Sequence, residues 1–379
     1  MKNHHKGIDR RDFLKLAALG TVSSTVLTSC DRLLNYMIEK LIGVDPEPSP
    51  GSVPMESIKS PLRSVAAVVT DTRAVHGEGN INGDVVRGML DAGMKTFVGK
   101  SNIEECWLTV FPDLKSSDVI GIKINASDKA FFTHKELVDA IVNSLVRIGV
   151  AENNIIVWDR SDKMWREGLI SCGFGINRSK KGVRYLSTNL EGIGYDTKAV
   201  VPMPSVHIEF PLTSIISQRC DYLINVPILK AGSGHCGLTG CMKNYYGAIP
   251  LFDQSFTKGT KGIKEVHVNN CNPQIPELYS HPLIRGKTKL CIYDALLAKF
   301  EGGPFGPPQF IHNQLIMGTD PVAVDYLGLM VVERERSKRG LSSLFPYTKY
   351  IQSAAEMGLG TNNPDQIDLR EVSLGLAQK

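Results

Sequence analysis

Lys230 sits where an apolar run enters a glycine-rich loop, an arrangement suited to holding an anion. Within residues 224–250, INVPILKAGSGHCGLTGCMKNYYGAIP, glycines follow at 232, 234, 237 and 240, and Thr239, Lys243 and Asn244 accompany them. Glycine lets backbone N–H groups come close to a ligand, and two ammonium groups would meet a phosphate or a carboxylate. The GxxxxGK[ST] spacing of a P-loop is absent. Lys123 and Asn125 lie in another apolar run, where a lysine must either snorkel to water or meet an anion. Asp294 closes a further run, and Asp325 follows Asp320 by about one helical turn. Asp320, standing before Pro321, reads as a helix N-cap with proline at the first helical position. The catalytic candidates are therefore Asp294, Asp325 and Lys230, the carboxylates for acid/base work or metal contact. Lys123, Asn125, Thr239, Lys243 and Asn244 are the candidates for binding and orienting a small anionic ligand.

Seven cysteines remain once Cys30 is set aside, and an odd number cannot all pair. Cys172, Cys220 and Cys291 lie in or beside apolar runs and read as core residues. His235, Cys236, Cys241 and Cys271 group in or near the glycine-rich stretch, where nitrogen and sulfur ligands could hold zinc or an iron–sulfur centre. A Cys236–Cys241 disulfide is the other reading of the same spacing. The cofactor stays open between these.

Such residues need elements to position them. Short apolar, β-branched runs occur at 64–70, 119–125, 155–159, 222–227 and 290–294, and helical patterns at 137–146 and 322–336. Near-continuous apolar strands alternating with amphipathic helices predict an α/β fold: a mostly parallel sheet with helices on both faces. Residues 62–379 read as a single large domain with an irregular Gly-rich insertion near 231–287. Ligands bind beyond the carboxyl ends of strands in such sheets. Polar residues recur there: Asp71, Lys123, Asn125, Asp159, Lys230 and Asp294.

The 379 residues are 42% hydrophobic and 22% charged, which excludes a disordered, collagen-like or polytopic membrane chain. The formal charge is +4, yet residues 1–29 hold five Lys/Arg and only two Asp, so most of the basic excess sits there. The body has no electrostatic footprint for nucleic acid. Arg10 and Arg11, followed by Phe13-Leu14-Lys15 and an uncharged stretch to Ser29, resemble a twin-arginine export signal. Leu27-Thr28-Ser29-Cys30 resembles a lipobox, which implies lipid modification of Cys30 and a membrane anchor. Asp31 then implies retention on the periplasmic side of the inner membrane. Residues 1–30 are thus expected to be signal, and 31–61 an amphipathic helix followed by a tether with five prolines.

Gly121-Ile122-Lys123-Ile124-Asn125, NVPILK…TGCMKNYYG, YDALLAKFEGGPFG and GTDPVAVD together resemble the domain of unknown function 362 family over roughly residues 65–330. Some relatives carry a ferredoxin-like iron–sulfur module and are associated with redox metabolism; this chain has no CxxCxxC run. Where relatives often have Lys-Thr-His, Lys230-Ala231-Gly232 stands here. The expectation is an exported, lipid-anchored protein with an enzymatic or cofactor-binding site for a small anionic ligand. The alternative is a non-catalytic binding or accessory lipoprotein, its protein partner undefined.

Overall fold

The computed structural model describes residues 63–163, 167–232, 236–250 and 266–375. The export signal, Cys30, the helix at 31–43 and the tether lie outside the described residues, as does His235. Strands β1 (Ser64–Asp71), β2 (Val75–His76), β3 (Asn80–Ile81), β4 (Ile120–Ile124), β5 (Ile155–Asp159) and β6 (Arg184–Ser187) come first. A ribbon of β7 (Tyr195–Met203) and β8 (Ile208–Thr213) follows. Then come β9 (Tyr222–Val226), β10 (Ile228–Gly232), β11 (Gly237–Thr239), β12 (Thr288–Gly303), β13 (Phe310–Gly318) and β14 (Ile367–Leu374). The helices are α1 (Gly83–Val98), α2 (Ile103–Val110), α3 (Lys135–Arg147), the single turn α4 (Cys241–Asn244), α5 (Gln274–Tyr279), α6 (Pro282–Lys287), α7 (Pro321–Lys338) and α8 (Lys349–Glu356). None of the described helices is long and apolar enough to cross a membrane.

The large sheet runs β14-β1-β13-β12-β9-β4-β5-β6, with β10 pairing β12 and β11 pairing β10. Its pairings are parallel except where β13 meets β1 and β12, and where β11 meets β10. The mostly parallel α/β sheet expected from the apolar runs is therefore present. Each of those runs coincides with a strand or with part of one. The helical patterns fall in α3 and α7, and Asp320 caps α7 through Val322 N–H and Ala323 N–H. The stretch near 231–287 is described at residues 231–232, 236–250 and 266–287. It contributes the end of β10, all of β11, and α4 to α6, because a strand pair can use Gly where the chain turns back.

Alternation along the strands sorts the two faces. Ile120, Ile122 and Ile124 join Val157, Ile224, Val226 and Ile292 in a core covered by α1, α2 and α3. Trp158, Leu223, Cys291 and Tyr293 point the other way, into a core built with α4 to α8. Lys123 pairs in register with Trp158 on one side and Asn225 on the other, and Asn225 pairs with Cys291. The lysine is thus one member of a row across neighbouring strands, on the α4–α8 face.

Candidate functional site

Lys123 is 1% exposed and its side chain is held at the carboxyl edge of the sheet. Nζ donates to Asp159 Oδ1 at 2.8 Å and to the carbonyl of Ile124 at 2.6 Å, and lies 5.3 Å from the centre of the Trp158 ring. Burial pushes its pKa down, while Asp159 works in the opposite direction. Asp159 ends β5 and is fixed by Ala126 N–H and Arg160 N–H, each donating at 2.7 Å. Arg160 in turn reaches Glu167 at 2.9 Å.

Asn125 connects the two lysines that lie on different strands. Its Oδ1 accepts from Lys230 Nζ at 3.3 Å, and its Nδ2 donates to Asn244 Oδ1, also at 3.3 Å. Asn244 Oδ1 accepts from Lys123 as well, at 3.4 Å, and Asn244 Nδ2 donates to Asn225 Oδ1 at 2.8 Å. Lys230 is fully buried, with Nζ 5.2 Å from the centre of the Phe131 ring. Burial lowers its pKa from 10.5 to about 7; nearby Asp128 only partly offsets this. A lysine so held gives up its proton more readily than an exposed one, which suits an amine that exchanges protons.

Thr239 faces Lys230 across the β10–β11 pair, since the two residues are register partners. Its Oγ1 is buried and has no hydrogen-bond partner among the described residues, although the Thr239 carbonyl accepts from Tyr293 OH at 2.7 Å. Lys243 places Nζ 2.7 Å from Cys236 Sγ and 5.9 Å from the centre of the Tyr246 ring. Lys123, Asn125, Asp159, Thr239, Lys243 and Asn244 line one cavity of about 160 Å³, together with Arg160, Tyr246, Gly247 and His267. Lys230 is not in its wall but stands directly behind Asn125.

The two remaining candidates are placed elsewhere. Asp294 is completely buried on β12 and binds His134 twice, through the backbone N–H at 2.8 Å and through ring Nδ1 at 2.8 Å. Burial opposes a charge on His134, but the coulombic pull and hydrogen bond of Asp294 outweigh it and raise the His134 pKa. Asp325, also completely buried, accepts the N–H groups of Cys241 and Met242 and so anchors the turn that carries Lys243 and Asn244. A Cβ at Gly240 would come within 2.6 Å of the whole Asp325 carboxylate, so the residue before that turn must be glycine. Burial raises the Asp325 pKa from 3.8 to about 7, against the two N–H bonds. Neither carboxylate lines the cavity, so the expected acid/base placement gives way to supporting positions: both are satisfied by partners brought in through the crossovers. Asp71 is held by the backbone and guanidinium of Arg73, a local turn.

Among the described residues no group of three His, Cys, Asp or Glu could hold a metal ion. The Cys271 thiol is pushed up by its neighbour Cys236 and by burial, and the Cys241 thiol by burial and by its neighbour Cys291. All seven described cysteines are thiols, so the Cys236–Cys241 disulfide is not formed. Residues 232–237, GSGHCG, spell G-x-G-x-x-G, but Gly232 ends β10 and Gly237 begins the antiparallel β11, so the motif does not lead from a strand into a helix. They are therefore not a dinucleotide cradle.

His134, Arg160, Glu167, Tyr246 and His267 are absent from the sequence-derived candidates. Asp159 was visible there only as one polar strand end among several. The one signal that could have pointed to His134 is its place immediately before a helical pattern, where a cap is expected.

A crystal structure of a protein from Thermotoga maritima is similar to this chain at 14% identity with a TM-score of 0.37, over 74% of this chain. The match spans 61% of that chain. No curated protein matches the sequence. The family described as Domain of unknown function (DUF362) matches residues 120–330, from the first residue of β4 into α7 and across every residue of the cavity wall, and the chain belongs to that family.

Proposed function

We propose that this protein is an exported, lipid-anchored envelope protein whose cavity binds a small phosphate- or carboxylate-bearing ligand. One observation carries the reading. Among the described residues, the partly buried Lys243 in the cavity wall has no carboxylate hydrogen-bond partner, and beside it the buried Thr239 hydroxyl has no partner. Buried polar groups are ordinarily satisfied, and an anion with several acceptor oxygens would satisfy these together. Lys123 and Asp159 neutralise each other, so they shape the wall rather than add net charge. Lys230, its pKa lowered by burial, stands behind Asn125 and acts on such a ligand only by orienting that side chain. The export and anchoring part rests on Arg10-Arg11 and on Cys30.

Isothermal titration of the purified protein with inorganic phosphate and with succinate tests the reading. One of the two is expected to bind with a single site, and Lys243→Ala to weaken it by about tenfold or more. If neither anion binds at millimolar concentration, the reading fails. Labelling the protein with radioactive palmitate in cells, with Cys30→Ala as the control, tests the anchor.

A further inference from the structure

We infer that the cavity selects a ligand whose anionic group is joined to a single planar aromatic ring, and that Phe305 recognises the ring. This rests on the anion-binding reading above and names the class of ligand. The wall changes character from its floor to its mouth. Asn125, Thr239 and Asn244 are buried, His267 is half-buried and Phe305 is 51% exposed, yet all five line the cavity. The anion therefore enters first, toward Lys243 and Thr239, and the rest of the ligand lies among Tyr246, His267 and Phe305. The Tyr246 and His267 rings are 5.2 Å apart with their planes at 83°. A flat guest stacked on one of them stands edge to face with the other, and both arrangements attract between aromatic rings. Tyr246 is fixed in that orientation, because its hydroxyl donates to the Val266 carbonyl at 2.6 Å.

Phe305 belongs to the EGGPFG segment that joins β12 to β13, and the loop carrying it is braced on both sides. Gly306 N–H donates to Oδ2 of the buried Asp128, and Lys299 Nζ donates to the Pro307 carbonyl at 3.3 Å. Gln309 Oε1 accepts the N–H groups of Phe300 and Glu301 at 2.9 and 3.0 Å. An exposed aromatic side chain on a braced loop loses little conformational freedom when a ring settles against it, so most of the contact appears as affinity. Size sets the upper limit. The cavity of about 160 Å³ is close to the roughly 150 Å³ that encloses a benzene, so the enclosed part of the ligand is one ring with its anionic group.

Isothermal titration of the full chain compares phenyl phosphate with inorganic phosphate, and benzoate with acetate, so that both anion chemistries are covered. In the pair that binds, the aromatic member is expected to bind about tenfold more tightly than the bare anion. Phe305→Ala is expected to bring the two affinities close together, and Phe305→Tyr to keep them apart. Phe305 is half-exposed, so neither substitution empties the core, and an unchanged denaturation midpoint checks this. The saturated counterparts, cyclohexyl phosphate and cyclohexanecarboxylate, are expected to fall short of the aromatic members. An aromatic anion that binds no better than its bare counterpart overturns the inference and leaves the anion reading standing. Equal affinity for saturated and aromatic rings overturns it too, as does a gain that survives in Phe305→Ala. If no probe binds at millimolar concentration, the anion reading fails, and the ring selection that rests on it falls with it.

Discussion

Lys123 Nζ and Asp159 Oδ1, on adjacent parallel strands, are 2.8 Å apart, and the backbone at Gly247 closes over both. A Cβ at Gly247 would lie 2.5 Å from Asp159 Oδ1 and 2.9 Å from Lys123 Cε. Neither group can retreat, because Asp159 is tied to two backbone N–H groups and Lys123 is packed on Trp158. Gly247→Ala is expected to cost about 1–3 kcal/mol by overpacking and to distort the cavity wall. Chemical denaturation measures the first effect, and phosphate titration the second.

Breaking the pair costs more than crowding it. Asp159→Asn leaves the Lys123 ammonium buried without its counter-charge, and a loss of about 3–5 kcal/mol is expected from urea denaturation at pH 6. The loss should shrink as pH rises, since burial already lowers the Lys123 pKa and a neutral amine needs no partner.

Lys230 gives the molecule an alkaline signature. Its pKa falls from 10.5 unfolded to about 7 folded, so between these values the unfolded chain holds more protons. Stability from this group is fully present above pH 10.5 and is lost as pH falls to about 7. Lys230→Met is expected to flatten that rise and to stabilise the ligand-free protein near pH 7 by a few kcal/mol, since each tenfold change in proton affinity corresponds to about 1.4 kcal/mol. Denaturation midpoints measured from pH 6 to pH 10 decide it.

Asp325 gives the opposite slope in acid. Its folded pKa is raised from 3.8 to about 7, so its contribution is fully present below pH 3.8 and is lost as pH rises through about 7. Asp325→Asn, which imitates the protonated carboxyl, is expected to flatten stability across that window. Its phosphate affinity should change little at pH 6, because the turn keeps one oxygen acceptor.

Thr239 separates stability from binding. Its hydroxyl has no partner in the ligand-free protein, so Thr239→Val is expected to leave the midpoint unchanged or slightly raised. Phosphate affinity should nevertheless fall about tenfold, which corresponds to one lost hydrogen bond of ~1.4 kcal/mol. A parallel loss of stability and affinity would mean that the hydroxyl holds the fold rather than a ligand.

Much of the site was legible before folding. Lys123, Asn125, Thr239, Lys243 and Asn244 all reach the cavity wall, because a polar group inside an apolar strand or on a glycine turn has few places to go. Asp294 and Asp325 read as equally exceptional, yet their partners are His134, 160 positions away, and Cys241, 84 positions away. Nothing local distinguishes a carboxylate that anchors a turn from one that meets a ligand. The cysteines divided in the same way: spacing suggested a Cys236–Cys241 disulfide, whereas the folded chain sets Cys236 against the Lys243 ammonium.

The order of residues alone determined the alternation of strand and helix and the apolar face of each, since both follow from periods of two and 3.6 residues that operate within a few positions. It also determined that Lys123 and Lys230 would be carried into the interior with their strands. Only the tertiary structure decided which groups meet there. Strand order and register bring Lys123 and Lys243 to one cavity, and set Lys230 behind its wall, joined to Lys123 through Asn125 and Asn244. They also move Asp294 and Asp325 out of its wall. Pairing across a sheet depends on crossovers such as the one that puts Lys123 beside Asn225, 102 positions on, and no local periodicity encodes them.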